Sequence, residues 1–397
     1  MIFDYDFNSD NSFFPDKIFC PKDSCIISKI INAVKPSRKV VMKEFGTIKN
    51  EKVYLFTITN KNGMSIDLST LGATITAIRV PDKNGRITDV AQGYNSADCY
   101  TDFPVGHAGG TIGPCANKID YGTFELNGQK YDLEKNKDNG RTHCHGASEG
   151  FDIKIWQYNP VHNGIKFTYV KKDGEGNFPG NVTVNVTYIL TDKNEIKILY
   201  EAETDKDTVL NLTNHSYFNL DGEENTEENS VLNHIVQLPS SSKYTVNSEV
   251  AVPTGEIKNV ENTPFDFKTP TAIKDKINIK DEQLKIGAGF DQNYCIDGYD
   301  GKKLITVAKV LSEKTGIEMK VETNLPGFQF YTANHLGKPT QPLGKSGKRY
   351  QKRSSLCVEP QFYPNAINMK DFEKPILKKG EKYDREIIYS FGTNKKD

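Results

Sequence analysis

One histidine lies in a dense run of polar residues near the middle of the chain, directly after a short apolar stretch. Residues 214–219 read Asn-His-Ser-Tyr-Phe-Asn, and Leu210 and Leu212 before them alternate with polar neighbours as in a half-buried strand. Histidine has a pKa near neutrality and can donate or accept a proton in catalysis. The pattern predicts a strand that carries His215 into a polar site. A core histidine satisfied by its neighbours is the alternative interpretation.

Five further stretches are rich in residues that exchange protons or form hydrogen bonds. They are residues 109–119 (Gly-Gly-Thr-Ile-Gly-Pro-Cys-Ala-Asn-Lys-Ile), 143–152 (His-Cys-His-Gly-Ala-Ser-Glu-Gly-Phe-Asp), 289–294 (Gly-Phe-Asp-Gln-Asn-Tyr), 325–334 (Leu-Pro-Gly-Phe-Gln-Phe-Tyr-Thr-Ala-Asn) and 357–368 (Cys-Val-Glu-Pro-Gln-Phe-Tyr-Pro-Asn-Ala-Ile-Asn). A general acid and a general base that face one substrate each contribute about 10²–10⁴-fold to its rate. The sequence therefore offers the groups that acid–base catalysis needs.

The same residues allow two other assignments. His143 and His145 are alternate residues, so on a strand they would share a face like a metal-binding pair. No third ligand is apparent beside them in the sequence, and we expect no metal. Asp291 and Glu359 would alternatively be the two carboxylates of a glycoside hydrolase, which would leave His215 and His145 without a role.

These residues must be positioned by strands, because strand signals begin near Val40 and continue almost to the end of the chain. Asn62-Gly63 and Asn127-Gly128 each separate two alternating segments, and both pairs tolerate the positive φ angles of tight hairpin turns. Helical periodicity of more than three turns is hard to find. The pattern predicts an all-β fold, a large single-domain antiparallel β-sandwich that covers residues 41–397.

The first forty residues differ from the rest of the chain. They contain no polar constellation of the kind described above, and residues 1–22 show no regular period. Apolar residues between Ile26 and Val34 then recur at helical spacing. We interpret residues 1–40 as an N-terminal extension with one short amphipathic helix packed on the sandwich.

The charge balance restricts the partners. The chain of 397 residues has 51 Lys and Arg against 52 Asp and Glu, a formal net charge of −1. Because nucleic acid and anionic membrane surfaces both require a net basic face, we expect neither as a partner. We also expect no secretory leader and no membrane span. The seven cysteines, an odd number scattered along the chain, predict reduced thiols and a cytoplasmic protein.

Taken in chain order, the six polar stretches resemble those of the aldose 1-epimerase family, the galactose mutarotases. The resemblance spans roughly residues 40–391, and six stretches in the same order make it specific. It implies a β-sandwich with an open sugar-binding cleft and no cofactor. It also implies an enzyme that interconverts the α and β anomers of free aldohexoses such as glucose and galactose. A small-molecule sugar would be the partner, and the chain would be a monomer or a homodimer.

The resemblance also implies roles for individual residues. Glu359 would be the general base that takes the proton of the C1 hydroxyl, and His215 the general acid that protonates the ring oxygen. His145 would hold the sugar and share the acid role, while Asp291 and Gln329 would bind sugar hydroxyls. An acid and a base of this kind predict a bell-shaped pH profile. Its acidic limb would belong to the carboxylate and its alkaline limb to the histidine.

The sequence departs from the family pattern in two of the polar stretches, residues 109–119 and 143–152. Asn117 matches the family and would bind substrate, but Lys118 and Pro114 replace arginines, and Ala147 replaces a glycine. Lysine keeps the charge of arginine but not its planar fork of donors, so we expect altered sugar affinity or selectivity. Loss of both arginines argues against a hexose 6-phosphate substrate. A non-catalytic sugar-binding protein on the same scaffold is the alternative function.

Overall fold

The computed structural model describes residues 3–4, 40–101 and 107–394. Within the predicted N-terminal extension it therefore covers only the short strand Phe3–Asp4 and the residue at the boundary, Val40. The helix predicted at residues 26–34 lies outside the described residues. The division into residues 1–40 and 41–397 stays a prediction.

Most of the described chain is β-strand. The strands up to residue 144 are β1 (Phe3–Asp4), β2 (Val40–Ile48), β3 (Glu51–Thr59), β4 (Ser65–Ser69), β5 (Thr74–Pro81), β6 (Ile87–Asp89), β7 (Thr111–Ile112), β8 (Lys118–Ile119), β9 (Thr123–Leu126), β10 (Gln129–Asp132) and β11 (His143–Cys144). Those up to residue 259 are β12 (Gln157–Val161), β13 (Gly164–Lys171), β14 (Val182–Leu190), β15 (Glu195–Thr204), β16 (Thr208–Val209), β17 (Thr213–Asn214), β18 (Ile235–Gln237), β19 (Lys243–Asn247) and β20 (Pro253–Asn259). The last are β21 (Thr271–Ala272), β22 (Asp291–Cys295), β23 (Ile305–Leu311), β24 (Ile317–Thr323), β25 (Gly327–Tyr331), β26 (Cys357–Gln361), β27 (Ile376–Leu377) and β28 (Tyr383–Thr393).

Helices in the described residues are short. The α-helices are α1 (Asp98–Thr101), α2 (Lys274–Ile277) and α3 (Glu282–Ile286). Single 3₁₀ turns occupy Asp120–Gly122, Ala147–Glu149, Phe151–Ile153, Glu175–Asn177, Ser230–Asn233 and Ala366–Asn368. In the part of the chain that the structure describes, no helix has the length and apolar character that crossing a membrane requires.

Three large sheets contain most of the strands. One sheet has the order β1-β2-β3-β4-β5-β6, and a nine-stranded sheet has the order β12-β13-β14-β15-β28-β24-β23-β18-β21. The third sheet has the order β20-β19-β22-β25-β26. All strand pairs in these sheets are antiparallel. The predicted large antiparallel β-sandwich is confirmed.

Both hairpins predicted from Asn-Gly pairs are present. Asn62-Gly63 lies in the turn between β3 and β4, where Gly63 has φ +80°. Asn127 and Gly128 join β9 to β10 with φ of +53° and +77°. Only the second turn has two consecutive residues with positive φ, the arrangement that matches the right-handed twist of the flanking strands; in the first turn Gly63 has a positive φ and Asn62 does not. Local turn chemistry therefore sets these two strand pairings.

The hydrophobic core lies between the sheets, because each sheet contributes its apolar face to one continuous cluster. Ile66 comes from the first sheet, Val184 and Tyr389 from the nine-stranded sheet, and Phe330 and Val358 from the third. All five side chains are at most 1% exposed. Burial of this size, at about 25 cal/mol per Å² of apolar surface, is the main contribution to the stability of the sandwich.

The third sheet has two chemically different faces. Tyr294, Phe328 and Val358 point into the core from β22, β25 and β26, and Phe330 lies on the same face as these residues. The residues between them are polar and must point the opposite way, because successive side chains of a strand alternate. The sheet therefore offers a polar surface that is backed by the hydrophobic core.

Candidate active site

The polar face of the third sheet brings together three of the predicted site residues. In the antiparallel register, Gln329 of β25 lies directly opposite Glu359 of β26 and opposite Asn293 of β22. Asp291 lies two residues before Asn293 and so shares this face. Directly opposed residues have Cβ atoms about 5 Å apart, so the register alone places an acid–base candidate beside two hydroxyl-binding candidates.

Asp291 and Gln329 are joined by a hydrogen bond. Gln329 Nε2 donates to Asp291 Oδ1 over 2.6 Å. Burial raises the pKa of Asp291, while this hydrogen bond and the charge of Lys118 oppose the rise. The bond fixes both side chains in orientations that leave their remaining oxygens free to bind a ligand.

Several buried polar atoms on this face have no hydrogen-bond partner among the described residues. They are Asn293 Nδ2 and Oδ1, Gln329 Oε1, Glu359 Oε2, and Gln361 Nε2 and Oε1. Buried polar groups are normally paired, so a cluster of unpaired ones on a single face requires an explanation. A ligand with many hydroxyl groups would supply the missing donors and acceptors.

His215 reaches this face from the predicted strand. β17 pairs with β7, and the His215 N–H donates to the Gly110 carbonyl over 3.1 Å while its own carbonyl accepts from Gly109. Asn214 Nδ2 donates to the Gly109 carbonyl over 2.8 Å. The strand, its neighbour and the side chain of Asn214 together fix the backbone that carries the imidazole. The dense polar run of residues 214–219 thus has a positioning role.

The imidazole of His215 lies between Glu359 and Cys357. Its Nε2 is 3.5 Å from Glu359 Oε2, and its Nδ1 is 3.7 Å from Cys357 Sγ. Burial raises the pKa of Cys357 well above its usual value, so the side chain stays a thiol. For Nε2 to receive a proton from Glu359, the neutral imidazole must carry its own proton on Nδ1, where the Cys357 sulfur can accept a weak hydrogen bond.

The surroundings of His215 and Glu359 oppose the charged form of each residue. Burial, supported by the charge of His107, lowers the pKa of His215 to about 3. Burial and the nearby charge of Asp291 raise the pKa of Glu359 well above its usual value. The low-dielectric surroundings oppose both charges, so they favour a neutral imidazole beside a protonated carboxyl over an ion pair. Moving that one proton to His215 creates the protonated acid and the ionised base.

His145 faces the same site from β11. Its N–H donates to the Asn117 carbonyl over 3.1 Å, and its Nδ1 accepts from the Asn117 N–H over 3.2 Å. This exchange fixes the tautomer with the proton on Nε2, so His145 is a hydrogen-bond donor to a ligand. Burial and the charges of His107 and His215 lower the pKa of His145 well below its usual value.

The backbone around His145 is left-handed over three residues. His145, Gly146 and Ala147 have φ of +56°, +86° and +52°. A Cβ at Gly146 would lie 2.4 Å from the Gly113 carbonyl oxygen, so only glycine fits there. Left-handed backbone at residues other than glycine is a strained conformation that is concentrated at functional sites. The glycine at position 146 is therefore required for the turn that presents His145.

His145, His215 and Glu359 form a compact cluster. One ligand-type atom from each lies within 4.8 Å of the others, so their geometry would also admit a divalent cation. The metal pair of His143 and His145 considered above is not formed, because the two rings have different partners. His143 Nδ1 bonds to the Glu134 carbonyl over 2.8 Å, and its ring packs against Phe178.

Lys118 does not project freely into the site. Its Nζ forms an ion pair with Asp138 at 2.9 Å and donates to the Val250 carbonyl over 2.6 Å. Its charge nevertheless lowers the pKa of Asp291. Asn117 lies beside it and contacts His145 through its backbone, while the Asn117 side chain accepts from the Lys118 N–H. The structure thus places both residues next to the cluster, with positioning contacts.

Sequence reasoning missed three residues of this region. His107 and Asp152 form an ion pair against the catalytic cluster, and Asn293 extends the polar face. The alternation of β22 contained the signal for Asn293, because it has the same parity as Asp291. The pairing of His107 with Asp152 joins residues 45 positions apart, and no local spacing indicates it.

The sequence matches one known protein family over most of its length. A family model described as aldose 1-epimerase matches residues 54–390. Galactose mutarotase from Bos taurus is 37% identical over 330 residues, which cover 83% of this chain and 92% of that protein. Aldose 1-epimerase from Escherichia coli (strain K12) is 34% identical over 345 residues, or 85% of this chain and 94% of the relative.

Solved structures give the same picture of the fold. An aldose epimerase homologue from C. elegans superposes with a TM-score of 0.77 at 29% identity, covering 86% of this chain and 99% of its own. A galactose 1-epimerase from Lactobacillus acidophilus superposes with a TM-score of 0.77 at 24% identity, covering 90% and 100%. The second likeness bears on the fold alone.

Proposed function

The chain belongs to the aldose 1-epimerase family, and on this premise we propose that Glu359 and His215 interconvert the α and β anomers of free aldohexoses such as glucose and galactose. The protein is an enzyme that acts on carbohydrates. Its similar relatives named above are called mutarotase and epimerase, which supports catalysis over sugar binding alone.

The reaction needs one proton removed and one supplied at neighbouring oxygens. Glu359 takes the proton of the C1 hydroxyl while His215 gives a proton to the ring oxygen, so the C1–O5 bond breaks and the aldehyde forms. Rotation about the C1–C2 bond then presents the other face of the aldehyde. The same two groups work in reverse on closure, because the O5 proton returns to His215 and Glu359 returns a proton to O1. No net proton is consumed.

A single observation carries this proposal. His215 Nε2 and Glu359 Oε2 lie 3.5 Å apart on a surface where several buried polar atoms have no hydrogen-bond partner among the described residues. The two reacting oxygens of a pyranose, O1 and O5, are both bonded to C1, so one sugar can contact both groups. His145 Nε2, Asp291 and Gln329 surround the pair and would hold the remaining hydroxyls. No cofactor takes part in this chemistry.

Polarimetry of freshly dissolved α-D-glucose and α-D-galactose tests the proposal. The purified protein should speed the approach to the equilibrium rotation well above the uncatalysed rate. The double variant Glu359→Gln/His215→Asn, purified in the same way, controls for contaminating mutarotase. The assay is repeated after dialysis against a strong chelator, and we expect unchanged activity. A wild-type rate equal to that of the double variant would overturn the proposal.

The remaining expectations concern the chain as a whole. The five cysteines in the described part of the chain, Cys99, Cys115, Cys144, Cys295 and Cys357, are all free, which supports a reducing, cytoplasmic location. The enzyme would act as a monomer or a homodimer. We propose that residues 41–397 carry the activity, so deletion of residues 1–38 should leave kcat nearly unchanged. A truncated protein that folds but does not turn over would show that the N-terminal residues reach the site.

A further inference from the structure

A third histidine lies beside the two imidazoles of the site. His107 Nδ1 is 2.6 Å from Asp152 Oδ2, and the two side chains are only 11% and 7% exposed. A contact this short between a buried carboxylate and an imidazole is a strong, charge-assisted hydrogen bond. It holds the ring in one orientation and leaves Nε2 on the side away from Asp152.

The ring of His107 packs against both histidines of the acid–base set. Its centroid is 4.7 Å from that of His145 and 6.0 Å from that of His215. His145 and His215 are themselves 5.4 Å apart. The three imidazoles thus form a triangle in which each ring contacts the other two. The position of His107 therefore affects both groups.

The local backbone is built for this contact. His107 has φ +52°, a left-handed conformation that is strained for a residue with a side chain. The Gly110 N–H donates to the His107 carbonyl over 3.0 Å. A Cβ at Gly110 would lie 2.7 Å from the Cβ of Asp152, so the absence of a side chain lets Asp152 approach. The strained backbone of His107 and the lack of a side chain at Gly110 both have a conformational cost. Both allow the contact between His107 and Asp152 to form.

Other charged groups near His107 are more distant from its ring nitrogens. On one side His107 lines a cavity of about 1000 Å³. The charged residues that also line this cavity are Lys49, Glu51, Asp98, Glu134, Lys137, Lys154 and Lys338. A smaller cavity is lined by His107, Asp152, Tyr94, Cys99 and Tyr100. The groups that contact the ring directly are Asp152, His145 and His215. These three define the surroundings in which His107 acts.

We propose that His107, held by Asp152, is a positioning residue of the acid–base set, which orients the rings of His145 and His215 and controls how readily they accept protons. The inference rests on the proposed function. When His107 carries a proton, its charge opposes protonation of the other two rings and lowers the pKa of both. A more acidic His215 is a better proton donor to the ring oxygen.

Three variants and one matched control test the role. His107→Phe keeps a ring against His145 but removes both the bond to Asp152 and the charge. Asp152→Asn keeps the shape of the partner and removes its charge. His107→Asn tests whether a small polar side chain is enough. His162, an exposed histidine in the turn between β12 and β13, provides the control His162→Asn.

The expected result is a change in kcat and in the pH profile. His107→Phe and Asp152→Asn should lower kcat by about 10–10²-fold, the loss that follows from small misplacement of catalytic groups. The acidic limb of kcat should move to higher pH, because protonation of His215 is no longer opposed. Circular dichroism and thermal unfolding establish that each variant is folded. His162→Asn should match the wild type throughout.

Histidine-labelled protein followed by ¹H–¹⁵N NMR gives a readout that does not need activity. The titration midpoints of His145 and His215 should rise in His107→Phe and Asp152→Asn. If both folded variants keep the wild-type pH profile and midpoints, the inference is wrong even when the wild type is an active mutarotase. If the wild type has no activity but the midpoints rise, the proposed function fails and the positioning role stands. If one variant does not fold, the other decides.

Discussion

His215 Nε2 lies 3.5 Å from Glu359 Oε2, and neither side chain is more than 6% exposed. In water such a pair would be an imidazolium beside a carboxylate. Here burial lowers the pKa of the histidine to about 3 and raises the pKa of the glutamate. Burial therefore favours the neutral pair over the ion pair. An acid and a base placed side by side suit a reaction that runs equally well in both directions.

Glu359→Gln should remove the base without changing the shape of the site. We expect turnover to fall by about 10²–10⁴-fold, the usual contribution of a general base, while sugar affinity changes little. Polarimetry measures the rate, and calorimetric titration with galactose measures binding. Turnover above roughly a tenth of the wild-type value would show that another group is the base.

The pH profile should be broader than the ordinary pKa values of the two residues suggest. Ordinary glutamate and histidine titrate near about 4.3 and 6.5. At low pH activity should fall when His215 and Glu359 are both protonated, which requires a pH near the lowered pKa of His215. At high pH activity should fall when both residues have lost their protons, which requires a pH above the raised pKa of Glu359. Burial thus exchanges the assignment made from the sequence. We expect the acidic limb of the profile to belong to His215 and the alkaline limb to Glu359. A narrow bell of kcat/KM between the two ordinary values would contradict this assignment.

His145 and His215 should differ in what their loss affects. His215→Asn removes the proton donor, so kcat should fall by about 10²–10⁴-fold. His145→Asn removes an Nε2–H donor that the bond from the Asn117 N–H holds in place, so KM should rise as well. Steady-state polarimetry over a range of galactose concentrations separates the two effects. A loss of kcat with unchanged KM in His145→Asn only would mean that the two histidines exchange roles.

Lys118 should act on the substrate through Asp291. Its ammonium is already bound by Asp138 and Val250, yet its charge lowers the pKa of Asp291. Lys118→Ala should raise KM more than it lowers kcat, and should destabilise the fold by about 1 kcal/mol, because Asp138 loses its ion-pair partner but keeps the hydrogen bond from Thr142. Urea unfolding and the polarimetric KM measure both effects. Lys118→Met with wild-type KM would assign Lys118 a purely structural role.

Ala147→Gly should stabilise the protein. Ala147 has φ +52°, where a Cβ costs about 1–2 kcal/mol, and glycine returns part of this as extra entropy of the unfolded chain. The net gain in the free energy of unfolding should be about 0.5–1 kcal/mol. Ala202→Gly in β15 is the control, and it should be destabilised because that residue lies in a regular strand. Lower stability of Ala147→Gly in urea would refute the strain argument.

The parts of the fold that depend on local chemistry were predictable from the sequence. Asn62-Gly63 and Asn127-Gly128 carry their turn geometry in two residues, and the alternation of β14 and β15 matches their burial. The order of strands in the nine-stranded sheet was not predictable. It joins β15 to β28 across nearly 180 residues, and the pairing depends on which apolar faces meet.

The candidate site shows the same division. His215, Glu359 and Asp291 lie in stretches whose composition indicated chemistry, and the structure brings all three to one surface. His107 carried no such signal, because a single histidine becomes informative only when the fold places Asp152 beside it. The sequence also does not show how deeply each side chain is buried. The predicted exchange of the two limbs of the pH profile depends on desolvation, which cannot be read from residue types alone.

The alternation of β22, β25 and β26 limits how the enzyme can diverge. One inserted or deleted residue within any of these strands would turn the polar side chains into the core and Phe328 or Phe330 out of it. Such a change would abolish catalysis and folding together, so it would not be tolerated during the evolution of the enzyme. New sugar preferences would have to arise by length changes elsewhere. The exposed residues 346–348, in the connection between β25 and β26, are a place where such length changes can be selected or engineered.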